Sequence, residues 1–233
     1  MRSRPRSTGC DTLASLTSEP TPEPERPLLR GVLHEVAFVV VALGGLAFAA
    51  VVDGRRLVAA AVFAASAALM LGASALYHRR SWGPRARLRM RRLDHAGIYL
   101  LIAGTYTPVG LLSLHGSMQH VVLAVVWVGA GTAILIKLFW VAAPKWLSVV
   151  LGLSLGWVGV AALPQLEDSA GLAAVVLLGA GGIAYTVGAL VYGFKRPDPF
   201  PRVFGYHEIF HAFTLVALAC QYVAIAFFVV RVA

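Results

Sequence analysis

Apolar residues run in long blocks along this chain, separated by short polar connections, and no sustained apolar–polar alternation of the kind that marks strands interrupts them. A helix needs about 20 predominantly apolar residues to cross the hydrocarbon core of a bilayer. Seven blocks approach or meet that length, at 31–52, 57–77, 93–114, 119–140, 147–163, 171–194 and 207–230, the fifth being the shortest. Several connections carry turn chemistry: DGRR at 53–56, LHGSMQH at 114–120, PQLEDS at 164–169 and RPDPFPR at 196–202. The pattern predicts an all-α integral membrane protein with seven transmembrane helices.

Composition agrees. The chain has 233 residues, of which 58% are hydrophobic and 13% charged, against about 25% charged in soluble domains. Its net charge of +9 needs no nucleic acid as partner if the basic residues gather on one side of a bilayer. They do. Five arginines lie ahead of the first span (Arg2, Arg4, Arg6, Arg26 and Arg30), seven between the second and third spans, and Lys137, Lys145, Lys195, Arg196 and Arg202 at the later ends on the same side. Arg55, Arg56 and Arg231 fall on the other side, with Glu167 and Asp168. Because Lys and Arg stay cytoplasmic, the N-terminus is expected inside and the C-terminus outside, in the plasma membrane of a cell.

Residues 1–29 are rich in Pro, Ser, Thr and charge and lack a short apolar h-region, so a disordered polar cytoplasmic tail is expected there rather than a signal peptide. Residues 30–233 are expected to form the membrane domain. Cys10 lies in the tail and Cys220 inside the last block, which predicts neither a disulfide framework nor a thiolate metal site.

Ionisable groups are costly inside a bilayer and mark functional positions. With the orientation above, the second span ends in SALYH, which places His78 at the cytoplasmic rim and Ser74 one turn deeper on the same face. The third span starts at that rim with Asp94, and the seventh with HEIFH, residues 207–211. His207 and His211, four apart, share a helix face, a spacing that lets two imidazoles hold one metal. Catalytic zinc takes three protein ligands and keeps one position open. The first choice for the third ligand is His78, because Asp94 is more useful unligated, holding or deprotonating a water. Zinc lowers the pKa of such a water to about 7, and Ser74 is placed to hydrogen-bond Asp94, the water or a substrate carbonyl. Glu208 points about 100° away from His207, so the general-base role it has in HExxH proteases does not follow. His34, next to Glu35, suggests helix packing; His95 is expected to point away from Asp94; His115 and His120 belong to the outer loop. Gly152, Gly156 and the glycines at 179–182 suggest close helix packing.

The ordered motifs SALYH at 74–78, LDHAGIYLLIAGTYTP at 93–108 and GYHEIFHAF at 205–213 resemble the hemolysin III group, the bacterial branch of the progestin and adipoQ receptor family. The resemblance implies a seven-helix fold with a cytoplasmic N-terminus, a zinc site on His78, His207 and His211, a water-holding Asp94 and a companion Ser74. It also implies a bacterial cell membrane and a role in membrane-lipid homeostasis. Kinship with alkaline ceramidases implies hydrolysis of a lipid amide or ester, with a fatty-acyl lipid as substrate or ligand. One departure stands out: many bacterial members carry Glu and Asn ahead of the first span's His, whereas here RPLLRGVLHEVAF places Glu35 after His34.

The expected function is therefore a zinc-dependent lipid hydrolase. The alternatives are a sensor or receptor of membrane state with structural zinc, a hemolysin III-type cytolysin, and an intramembrane zinc protease. The absence of a secretion signal and of an amphipathic pore helix argues against a cytolysin. The absence of an acidic third ligand after HEIFH argues against a protease. Oligomeric state is not encoded in any motif.

Overall fold

The computed structural model describes residues 27–232. Most of the tail expected over 1–29 lies outside them. Its last residues are held: the Leu28 and Leu29 N–H groups donate to the Arg202 and Val203 carbonyls at 3.0 and 3.3 Å.

Among the described residues the chain is helical throughout, without a strand beyond one isolated bridge, Phe200 with Phe204. The helices are α1 (Val32–Ala49), α2 (Gly54–Arg79), α3 (Pro84–Leu112), α4 (Gly116–Phe139), α5 (Lys145–Gly156), α6 (Leu163–Phe194) and α7 (Tyr206–Ala224). A 3₁₀ segment, Trp157–Ala162, joins α5 to α6, and a π turn, Ile225–Val229, ends the last element. Six helical stretches are long and apolar enough to cross a membrane, because Lys145–Phe194 counts as one stretch of 50 residues. At 1.5 Å per residue that is about 75 Å, more than twice the hydrocarbon thickness. The stretch is broken at the 3₁₀ segment and again at Gly171, whose backbone is non-helical (φ 80°, ψ 166°).

Two expected boundaries shift. The PQLEDS connection at 164–169 is helical and forms the start of α6, with Pro164 in its first turn where the missing N–H costs nothing. The basic stretch before the third span is also helical, extending α3 back to Pro84.

The lipid-facing surfaces are apolar and the interior is built largely from small residues. Ala59, Ala67, Ala103, Ala133, Ala174 and Ala217 are fully buried. Without a hydrophobic drive between helices in lipid, small residues allow the close contact that holds them together. α2 packs against α1 and α3, α3 also against α4, and α6 against α7. Gly104 shows how tight the α2–α3 seam is: a Cβ there would lie 1.9 Å from Ser66 Oγ and 2.5 Å from Ser66 Cβ. The α5–α6 connection is held differently. The Tyr106 hydroxyl of α3 donates to the Gly156 carbonyl (2.6 Å) and accepts the Gly159 N–H (2.7 Å). Both backbone groups are freed where the α-helix gives way to 3₁₀, and a bilayer offers no water to satisfy them.

Candidate metal centre

The site is assembled at one end of the bundle from the end of α2, the membrane-facing part of α3 and the start of α7. α7 is capped by Gly205, whose N–H donates to Glu208 Oε2 (2.9 Å), while Asp198 Oδ1 accepts the Tyr206 N–H (2.8 Å). These caps satisfy donors that a helix start leaves free and point the first turn, with His207, into the bundle. His211 follows one turn later.

The structure brings His78, His207 and His211 together. Each offers one ligand atom, and these atoms lie within 4.8 Å of one another. His78 Nε2 and His207 Nε2 are 3.2 Å apart. Two imidazole nitrogens bound at 2.0–2.1 Å to a tetrahedral ion are separated by about 3.3 Å, so this pair has the spacing of two ligands on one ion, and the three-histidine cluster is compatible with a bound metal. His78 and His211 are buried and His207 is half-buried. Asp94 faces the cluster, with Oδ2 3.9 Å from His78 Nε2. Ser74 is buried on α2, and its hydroxyl is directed at the Asp94 carboxylate.

His95 departs from its sequence-based expectation, and His34 and Glu208 find partners that the sequence did not specify. His95 does not point away: its Nδ1 lies 3.4 Å from Asp94 Oδ2, and the ring lines the same cavity. His34 is only 2% exposed and stacks on His211, with ring centroids 3.9 Å apart and planes within 16°. Neither of its ring nitrogens has a partner among the described residues. Glu208 is neither a surface carboxylate nor a free base. It is 1% exposed, caps α7 and forms an ion pair with the Arg30 guanidinium, which donates through Nε. Gly31 takes a left-handed conformation (φ 79°) and packs where a Cβ would come within 2.7 Å of His78 Cβ. Only a glycine both turns the chain there and lets it lie on the site.

A cavity of about 320 Å³ opens from the cluster into the bundle. Asp94, His207 and His211 line one end and Leu114, Leu163 and Leu166 the other, with mostly apolar walls between. Thr105 and Gln221 place a polar pair partway along, Oγ1 to Oε1 at 3.4 Å. Of the glycines expected to pack helices closely, Gly181 does so, where a Cβ would lie 3.1 Å from the Ala217 carbonyl of α7; a Cβ on Gly152, Gly156, Gly179 or Gly182 would instead meet nothing within 4 Å, and all four line the cavity. Their missing side chains leave width between α5 and α6. A buried slot of this kind, apolar with a few convergent polar groups at one end, is the form of a ligand site.

Comparison with known proteins agrees with the motifs. Residues 23–222 match the sequence profile of the family described as Haemolysin-III related. The chain is similar to the Hemolysin-3 homolog of Bacillus subtilis (strain 168), 38% identical over 140 residues, covering 60% of this chain and 63% of that protein. It is also similar to Hemolysin-3 of Bacillus cereus, 35% identical over 150 residues, covering 64% of this chain and 66% of that protein. The matched stretch thus spans a little under two thirds of each relative. Together with the apolar helices, these bacterial relatives make the chain a multi-pass bacterial membrane protein.

Proposed function

Given that the chain belongs to the Haemolysin-III related family, we propose that it is a seven-span, zinc-dependent hydrolase of a lipid amide or ester. The two parts of Lys145–Phe194, on either side of the break, act as the fifth and sixth spans. The N-terminus is cytoplasmic, the C-terminus is outside, and the site lies at the cytoplasmic leaflet, in keeping with the distribution of Lys and Arg. The observation that carries the proposal is the juxtaposition of three imidazoles, with ligand atoms within 4.8 Å, and the head of a narrow apolar cavity.

His78, His207 and His211 are the side chains that would hold the ion. Zinc in such a site supplies Lewis acidity and lowers the pKa of a water to about 7. The chain's own groups do the rest. The cavity takes the acyl chain and excludes bulk water, which orients the scissile carbonyl toward the histidines. Asp94 Oδ2 holds the nucleophilic water, accepts its proton and returns it to the departing amine or alkoxide as the acyl C–N or C–O bond breaks, and the Ser74 hydroxyl donates to that carboxylate and keeps it oriented. His95, against the same oxygen, is placed to share the proton. Glu208 takes no part, since both its oxygens are engaged by Gly205 and Arg30. The word hemolysin belongs to the relatives' names; for this chain, lysis is expected only as a secondary effect of lipid products at high abundance.

The test is metal content and turnover on detergent-purified protein. About one zinc per chain is expected, lost in His207→Ala/His211→Ala. Fatty-acid release from acyl-amide or acyl-ester lipids should then fall at least 100-fold in Asp94→Ala with zinc retained. Well-folded wild type without metal removes the proposal. Stoichiometric zinc without turnover on any lipid class leaves zinc a structural part of a membrane sensor.

A further inference from the structure

The cavity wall carries a cation that the metal centre does not use. Lys137 lies in the last turn of α4 and is 1% exposed, yet it lines the cavity. Among the described residues no hydrogen bond or ion pair reaches it, and the charged group that bears on it is Arg91, a second cation. Asp94, the sole carboxylate among the cavity-lining residues, is faced instead by His78 at 3.9 Å and His95 at 3.4 Å. The dipole at the α4 C-terminus offsets part of the burial of Lys137. An ammonium that faces the cavity beside a like charge is placed to attract an anion.

The shape of the cavity narrows the choice of anion. Asp94 and Val109 both line it from α3, 15 residues apart in sequence, which is about 22 Å of helix rise. A volume of about 320 Å³ drawn out over that length admits one acyl chain rather than two. Leu101, Val122 and Leu178 supply its apolar walls.

We propose that Lys137, supported by Arg91, is an anion seat separate from the histidine cluster, and that the cavity's occupant is a single-chain lipid with an oxyanion head, carboxylate or phosphate. The proposal rests on the hydrolase reading only in taking the cavity as a lipid site; it names the charge and chain number of substrate or product.

The experiment uses the full chain in neutral detergent, zinc-loaded and chelator-stripped, with a fluorescent polyene fatty acid and its methyl ester as probes. Wild type should bind the acid at least tenfold more tightly than the ester, with or without zinc. Lys137→Met should bring the two affinities within about twofold by weakening the acid alone, and Lys137→Arg should keep the preference. Arg91→Met, which removes an exposed side chain, should reduce the preference about threefold and serves if Lys137→Met fails to elute as wild type does. Lysophosphatidate and unlabelled fatty acid should both displace the probe more readily than monoacylglycerol does. Equal affinity for acid and ester, or a preference that survives in Lys137→Met, overturns the seat. A preference that vanishes on removing zinc assigns the anion to the histidines and also overturns it. Displacement by millimolar inorganic phosphate assigns the seat to a free anion and overturns the lipid part. Turnover is scored separately, so an inactive protein that keeps its acid preference removes the hydrolase reading and leaves the seat standing.

Discussion

Glu208 shows how far a motif carries at the level of a single residue. HEIFH on a helix places His207 and His211 on one face by geometry alone, and the structure brings both to His78. The glutamate between them has another use. Buried, capping α7 and ion-paired to Arg30, it fastens the segment before α1 to the loop before α7. Breaking a buried pair from one side leaves an uncompensated charge and costs about 3 kcal/mol. Arg30→Met should therefore lower the thermal midpoint in detergent by several degrees while zinc stays near one per chain, and Glu208→Gln should do so more mildly. An unchanged midpoint in both variants would remove the clasp. His34 was unreadable for a different reason. Its stacking on His211 joins positions 177 residues apart, and no local pattern encodes the plane of a ring.

At the level of elements, periodicity and run length located the helices well, because backbone groups in hydrocarbon leave helix as nearly the sole option for a short apolar run. Boundaries were poorer where polar residues are themselves helical, as at PQLEDS and in the arginine-rich start of α3. Glycines were the least readable. Gly104 and Gly152 look alike in sequence, both inside apolar helices, yet one touches Ser66 and the other faces the cavity. The two should respond oppositely to alanine. Gly104→Ala forces α2 and α3 apart and should destabilise by about 1–3 kcal/mol. Gly152→Ala meets open space and should raise stability by up to about 1 kcal/mol through helix propensity, while it narrows the slot. Thermal midpoints of the two variants against wild type check this; loss of stability of the same size in both would mean that α5 and α6 close up tightly.

For the whole molecule, the decisive question is how often the chain crosses the bilayer. An odd number of spans puts the two ends of the chain on opposite sides, and the 50-residue stretch Lys145–Phe194 settles the parity by crossing once or twice. In a Cys220→Ala background, a membrane-impermeant maleimide applied to intact spheroplasts should label Ala233→Cys at once and Cys10 only after permeabilisation. Labelling of both positions from the same side would give an even number of spans, and labelling of Cys10 in intact spheroplasts would move the site to the outer leaflet.

What the sequence determined by itself was the solvent, the helices and the chemistry: run length specifies a bilayer, charge bias specifies an expected orientation, and four-residue spacing specifies a shared helix face. These are local or additive properties, which a linear reading sums correctly. What only the tertiary structure decided was every relation between helices. It set the 3.2 Å approach of His78 to His207, made Glu208 a clasp onto Arg30, left space at Gly152, and placed Lys137 on the cavity wall. Such relations depend on which faces meet and how closely, and in lipid that is decided by side-chain packing summed over the whole bundle rather than by any one segment.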